Sequence, residues 1–233
     1  MTIEEFIAKY YTRGFYPDGA PLPGRREELN RRNSQWLCND KSIDIVFIGD
    51  SITEWWELSV YFSDYGVVVN RGVGNERTHE LKERFVQDAI DLGPKVIVFA
   101  EGVNDIDDVY TMMKQSAVGI DHSMVEDELE KICNNYRVMF SKASERKMKM
   151  VVCSVLPIGC KDERNQLILR LNEKLKALCV QYGYSYANTY SGVVSEDGLT
   201  MKKYHFGDDL HPHVKGYNAM AKTLYPYLDK LLK

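Results

Sequence analysis

The stretch Ile43-Asp44-Ile45-Val46-Phe47-Ile48-Gly49-Asp50-Ser51-Ile52-Thr53-Glu54 decides the architecture. A near-continuous run of β-branched and aromatic residues suits a strand covered on both faces. It passes through Gly49 into polar residues suited to a helix start, which makes a strand–helix unit. Working outward, the same unit recurs. Val67 to Val69, Lys95 to Ala100 and Met148 to Val155 read as further buried strands, with Tyr184 to Ala187 as a weaker fifth. Helical patterns fall between and after them, at Thr78 to Ile90, Ser123 to Lys147, Asn165 to Tyr182 and His213 to Leu232. Leu167, Leu171, Leu175 and Leu178 keep one helix face apolar. Strand–helix alternation predicts an α/β fold with a parallel sheet between helices. In such sheets ligands bind beyond the carboxyl ends of the strands.

The chain has 233 residues, enough for a sizeable core without metals or disulfides. Residues 1–40, with Tyr10, Tyr11, Phe15 and Tyr16 before a Pro/Gly-rich stretch, read as an amino-terminal arm packed on the domain. Residues 41–233 read as one domain. A net charge of −4 and only short basic pairs give no electrostatic reason to expect a nucleic-acid partner. The five cysteines form no CxxC pair and suit a reduced chain. No apolar run approaches membrane-spanning length, so no membrane insertion is expected. The acidic start Met1-Thr2-Ile3-Glu4-Glu5 lacks the layout of a signal peptide, so a cytoplasmic location is expected for the chain as given.

The polar residues after each strand carry the chemistry. Ser51 and Glu54 have the spacing of a capping box. A serine at a helix start beyond a parallel strand is also well placed for a nucleophile, because backbone N–H groups there hold an anion. No GxSxG nucleophile elbow is present. After the second strand, Gly72-Val73-Gly74-Asn75-Glu76-Arg77 suggests a tight turn with exposed N–H groups. Arg77 stands where a dinucleotide fingerprint needs its third glycine, which excludes that reading. After the third strand, Asn104 can order a turn or donate its amide to an oxyanion. Near the carboxyl end lies Asp208-Asp209-Leu210-His211-Pro212-His213. Asp208 is placed to hold the His211 imidazole through Nδ1 while Nε2 faces a nucleophile. With His205, Asp209 and His213, the same segment is dense enough in ligand types for a metal site, or it is simply a polar loop. The conjunction favours the triad, since all four groups fall in order where the sheet rule puts a site.

Gly49-Asp50-Ser51, Gly72-Val73-Gly74-Asn75, Gly102-Val103-Asn104-Asp105 and Asp208-Asp209-Leu210-His211-Pro212 resemble the four signature blocks of the SGNH (GDSL-type) hydrolases. The resemblance runs from about Ile43 to the carboxyl terminus. It implies a flavodoxin-like three-layer α/β/α sandwich with a five-stranded parallel sheet, and ester-hydrolysing chemistry with no cofactor and no metal. Carried over, Ser51 is the nucleophile and first oxyanion donor. His211 is the general base and acid, Asp208 its orienting carboxylate, and Asn104 a side-chain donor to the oxyanion. The second block departs from the usual GGD, so the backbone donor falls on Asn75, with Gly74 providing the turn.

The expected function is hydrolysis of a small-molecule ester carrying a small or carbohydrate-linked acyl group, acetyl foremost. The alternatives are a lysophospholipase or thioesterase on longer chains, a metal-dependent hydrolase, and a non-catalytic binding protein. The segment from Ile106 to His122, with Tyr110, Met112 and Met113, reads as an insertion beside the site, either a lid or a helical turn packed on the edge. One of Trp55 and Trp56 is expected in the core, and the other is a candidate to line the site.

Overall fold

Five short strands whose side chains are almost all apolar find cover only in the centre of the molecule, and they set the frame for everything else. The computed structural model describes residues 1–2, 4–5, 24–115, 122–159 and 163–233. The strands are β1 (Ile45–Gly49), β2 (Val68–Gly72), β3 (Val96–Ala100), β4 (Lys149–Cys153) and β5 (Ser185–Ala187). They form one parallel sheet in the order β2-β1-β3-β4-β5. Every residue of β1 is buried, as the unbroken apolar run requires.

Around the sheet lie α1 (Gly24–Cys38), α2 (Ser51–Glu54), α3 (Leu58–Phe62), α4 (Thr78–Phe85), α5 (Val103–Gln115), α6 (His122–Glu145), α7 (Arg164–Tyr182), α8 (Thr189–Val193) and α9 (Val214–Leu232). Right-handed crossovers dictate the layering. The chain leaves β1 in one direction for β2 and returns past it to β3, so α4, α6 and α7 cover one face and pack on one another. The other face receives α9, where Tyr217 donates to the Ile52 carbonyl and Tyr225 to the Tyr61 carbonyl. Together these are the three layers expected from the sequence. The point where the strand order reverses lies between β1 and β3, and a crevice opens there at the carboxyl ends.

Local details depart from the sequence reading in three places. Val86–Ile90 continues α4 as a wider π-turn, which brings Asp88 inward. Part of the expected arm is the helix α1, whose buried face is Arg26, Leu29, Asn30 and Asn33. Tyr10, Tyr11, Phe15, Tyr16 and Cys160 lie outside the described residues. The segment expected as an insertion is, through Gln115, the body of α5, with Ile106 and Val109 in the core. Residues 116–121 lie outside the described region.

One buried polar cluster is charged. The Arg84 guanidinium is fully buried and donates to Glu76 Oε2 at 2.6 Å, Asp88 Oδ2 at 3.1 Å, the Arg71 carbonyl at 2.8 Å and the Gly49 carbonyl at 3.1 Å. Asp88 in turn accepts from Arg26 and from Asn33, and Asn33 accepts from Arg71 at 2.8 Å. This cluster docks α1 against β2. Removing one member of a buried charged cluster leaves its partners uncompensated and costs about 3–5 kcal/mol. Arg84→Met therefore lowers the unfolding free energy by about that amount, read from the midpoint of urea denaturation. An unchanged midpoint would contradict this account.

Candidate active site

The register of the sheet assembles the site. Gly49, Gly72 and Ala100 are paired across β1, β2 and β3, so the residues that follow each of them emerge side by side. Ser51 begins α2, Gly74 and Asn75 turn beyond β2, and Asn104 lies in the first turn of α5. A Cβ on Gly72 would lie 2.1 Å from the Glu54 nitrogen, so only glycine lets the second strand end this close to α2.

The cap of α2 differs from the capping box expected of Ser51 and Glu54. Asp50 is the N-cap and accepts from the Ile52 N–H at 2.8 Å. This leaves the Ser51 hydroxyl free of the helix. Glu54 instead reaches across to the Gly74 N–H at 2.5 Å. The turn after β2 is further held by Asn104, whose amide donates to the Glu76 carbonyl at 2.8 Å. Asp105 accepts from the Thr78 N–H at 2.9 Å and the Thr78 hydroxyl at 2.6 Å. Asn75 takes φ = +64°, a left-handed conformation that Asn tolerates better than most residues.

His211 arrives from the far end of the chain. Its loop between Lys202 and α9 is closed by the Phe206–Pro212 bridge and by the Gly159 N–H donating to the Asp209 carbonyl at 2.7 Å. Gly216, inside α9, lets that loop cross the helix, since a Cβ there would lie 2.2 Å from the His205 carbonyl oxygen. His211 Nε2 lies 3.0 Å from Ser51 Oγ, and His211 Nδ1 lies 2.9 Å from Asp208 Oδ2. A carboxylate only accepts, so Nδ1 carries the proton and Nε2 accepts from the serine hydroxyl. Asp208 also accepts from the backbone N–H groups of His211 at 2.5 Å and Leu210 at 2.8 Å. Burial works against its charge, but these hydrogen bonds prevail and hold the carboxyl down at about 2. Asp209 makes no contact with the imidazole among the hydrogen bonds of the described residues, and no group of three or more metal-ligating side chains converges there.

The structure thus brings Ser51, His211 and Asp208 into one hydrogen-bonded chain, with Asn104 and the Asn75 turn beside it. Gly74 N–H is occupied by Glu54, which leaves the Asn75 N–H as the donor of that turn. An amide has two N–H donors, so Asn104 keeps one after serving Glu76.

Beneath the nucleophile lies a set of buried acids that the sequence reading passed over. Burial first, and then Asp105 and Glu76, push the Asp50 carboxyl up to about 7 against the Ile52 hydrogen bond. Burial also raises Asp105 to about 6, against its bonds from Thr78. Glu101 is raised well above the usual range by burial and then by Asp50 and Asp105. Its Oε1 accepts from the Gly102 N–H at 3.1 Å while Oε2 has no hydrogen-bond partner among the described residues. Asp50, Glu101 and Ser154 line a cavity of about 20 Å³, room for about one water. The burial of Arg84 opposes its charge, but Glu76 and Asp88 outweigh that and keep it firmly protonated. The signal for these residues was a charge on an otherwise apolar strand end or helix face, as with Arg84 between Leu81 and Phe85.

A parallel α/β sheet with a serine–histidine–aspartate chain at its switch point defines a class of hydrolase-like folds. Within it, residues 47–219 match the profile of the GDSL-like lipase/acylhydrolase family, and the chain belongs to that family. Among curated proteins it is similar to the platelet-activating factor acetylhydrolase IB subunit alpha2 of Homo sapiens, 26% identical with 92% of each chain covered. Among solved structures it resembles a GDSL-like lipase from Bacteroides thetaiotaomicron, with a TM-score of 0.69 and 23% identity over 87% of this chain and 98% of that one. An acetylxylan esterase from Geobacillus stearothermophilus has the same fold, with a TM-score of 0.64 and 16% identity over 80% and 94%.

The buried acids make stability depend on pH with a definite sign. A carboxyl whose pKa is raised on folding binds its proton more tightly in the folded chain, so stability falls as pH rises above about 4. Glu101→Gln removes that ionisation while keeping the shape. The substitution is expected to raise Tm over the parent at pH 8, with most of the gain gone at pH 5. Equal differences at both pH values would mean that Glu101 does not hold a proton on folding.

Proposed function

We propose that this protein hydrolyses short-chain, chiefly acetyl, esters of small or carbohydrate-linked alcohols, through an acyl-enzyme on Ser51. The observation that carries the reading is the chain of contacts from Ser51 Oγ through His211 to Asp208, at 3.0 and 2.9 Å.

In the first half of the reaction, Ser51 Oγ attacks the ester carbonyl carbon and its proton passes to His211 Nε2. The carbonyl electron pair moves onto oxygen. The N–H groups of Ser51 and Asn75 and the remaining amide hydrogen of Asn104 receive this oxyanion. Asp208 holds the imidazolium through Nδ1. As the tetrahedral intermediate collapses, the carbon–alkoxide bond breaks and the alcohol leaves with the proton from His211. Water then attacks the acyl-enzyme, giving its proton to His211, and the carboxylic acid leaves as the proton returns to Ser51 Oγ.

Two considerations support a short acyl group. The named activities of the curated relative and of the Geobacillus enzyme both concern acetyl groups. The chain neighbours of Ser51, Gly74 and Asn104, namely Ile52, Val73 and Val103, are packed into the core, which supports a shallow acyl site.

Ser51→Ala is expected to lower kcat by a factor of about 10⁴ or more with the fold intact, because members of such a triad act as a unit. A fluorophosphonate should label Ser51 in the parent and leave the variant unlabelled. Strong residual turnover would place the nucleophile elsewhere.

The acyl preference is read from kcat/KM for p-nitrophenyl acetate, butyrate, octanoate and palmitate. An open groove would gain about 0.8 kcal/mol for each buried methylene, so its rate constant would climb with chain length. The proposed site instead favours acetate and butyrate, and falls off sharply beyond them. A maximum at octanoate or longer would support a lysophospholipase or thioesterase in its place.

A further inference from the structure

The two neighbouring tryptophans after the nucleophile have opposite fates. Trp56 is in the core at 3% exposure, while Trp55 is 59% exposed. So much apolar surface left in water contributes little to the fold, yet the Trp55 indole is not idle. It lies against the imidazole of His211, with ring centroids 4.0 Å apart and planes 34° apart.

Trp55 belongs to the same short helical turn as Ser51. Its N–H donates to the Ser51 carbonyl at 3.0 Å, so the two side chains lie one turn apart on the same face. The hydroxyl that touches one edge of the imidazole and the indole that covers its face therefore move as one piece.

His211 needs such a contact. It stands on a loop without regular structure, and its two polar contacts lie at the ring edge: Nδ1 to Asp208 and Nε2 to Ser51. Neither opposes a tilt of the ring about the line joining them. Asp208, whose side chain is 55% exposed, meets the ring only at that edge. A flat ring against the imidazole face supplies the missing constraint. When the imidazole takes the serine proton, its positive charge also lies within about 6 Å of the indole, the range in which an aromatic face attracts a cation.

We propose that Trp55 is a positioning residue for the general base, holding the His211 imidazole square to Ser51 and lying against the imidazolium charge. The inference rests on the proposed hydrolase reading and extends it to a residue outside the Ser–His–Asp chain.

The test compares Trp55→Phe, Trp55→Leu and Trp55→Ala with the parent, measuring kcat and KM separately on ethyl acetate and p-nitrophenyl acetate. Leu keeps an apolar side chain without an aromatic face, and Phe restores that face. Trp55→Leu and Trp55→Ala should lose about tenfold or more in kcat on both esters, with KM within about twofold of the parent, while Trp55→Phe keeps at least about a third of it. Melting curves should be unchanged, as the side chain is exposed. Parent-like kcat in Trp55→Leu would overturn the assignment. So would a loss confined to KM, which would make the indole a surface for the alcohol group. If the parent turns over neither ester, the hydrolase reading itself fails and takes this one with it. Only with an active parent does a silent Trp55→Leu count against Trp55 alone.

Discussion

A single buried cation ties together the parts of this structure that have to agree. The Arg84 guanidinium spends four of its five N–H donors. They reach the last carbonyl of β1, a carbonyl of β2, the carboxylate of Glu76 and that of Asp88. The first two fix the strand ends that carry Ser51 and the Asn75 turn. Glu76 sits in that turn, and its carbonyl accepts from Asn104, so the third strand end is held through it. Asp88 connects to Arg26 and Asn33, and hence to α1. Main-chain hydrogen bonds within the sheet align the strands but not the loops beyond them. Arg84 extends that alignment by one layer, into the loops that form the crevice.

The same constraint shows how much of the molecule was legible in the sequence. Strands were legible because burial on both faces leaves a nearly unbroken apolar run. The first, expected from Ile43 to Ile48, is Ile45–Gly49. The helix α1 was not legible as a helix, because the face it buries is Arg26, Asn30 and Asn33 rather than an apolar stripe. Arg26 and Asn33 meet Asp88 and Arg71 there, and Asn30 meets Gln87, contacts 38 to 62 residues away in the chain that no local pattern contains. After Asp105, where the sequence left a lid or a helical turn open, the length of the helix was hidden for a different reason. Val103, Ile106 and Val109 have helical spacing, but the acids between them hid it.

At the site, residue types and order were legible and the division of work was not. Ser51, Asn104, Asp208 and His211 could be picked out as polar residues after strands. The capping box, by contrast, was a local motif with a better competitor next door. Asp50 caps the helix by accepting from the Ile52 N–H, and Glu54 is thereby released to fix Gly74. Glu54 can reach Gly74 because β1 and β2 pair in register at Gly49 and Gly72, which is a property of the sheet. Which tryptophan faces out was likewise set by α9, whose Tyr217 stacks on Trp56 at 5.1 Å and claims it for the core.

The acids under Ser51 place a condition on the proposed chemistry. In the proposed reaction, attack on an ester would create an oxyanion at Ser51, next in the chain to Asp50, which lines one buried cavity with Glu101. Two like charges about 6 Å apart repel by roughly 3 kcal/mol at an effective dielectric constant near 20, a factor of over a hundred in rate. Ionised carboxylates there would oppose the step that the N–H groups of Ser51, Asn75 and Asn104 assist. Burial eases the conflict by pushing Asp50 up to about 7 and Glu101 well above its usual range, so both ionise less readily than an exposed carboxyl. A neutral acid below the nucleophile also has an O–H to donate, and the cavity between Asp50, Glu101 and Ser154 has room for about one water to receive it. Asp208 has the opposite requirement. It must remain an anion beside the imidazolium, and it does so at the surface, where hydrogen bonds from His211 and Leu210 hold it ionised. Depth in the fold therefore sorts the carboxylates near Ser51 into two kinds. Asp50 and Glu101 are pushed toward the neutral form where negative charge would form, and the exposed Asp208 is kept charged where positive charge would form.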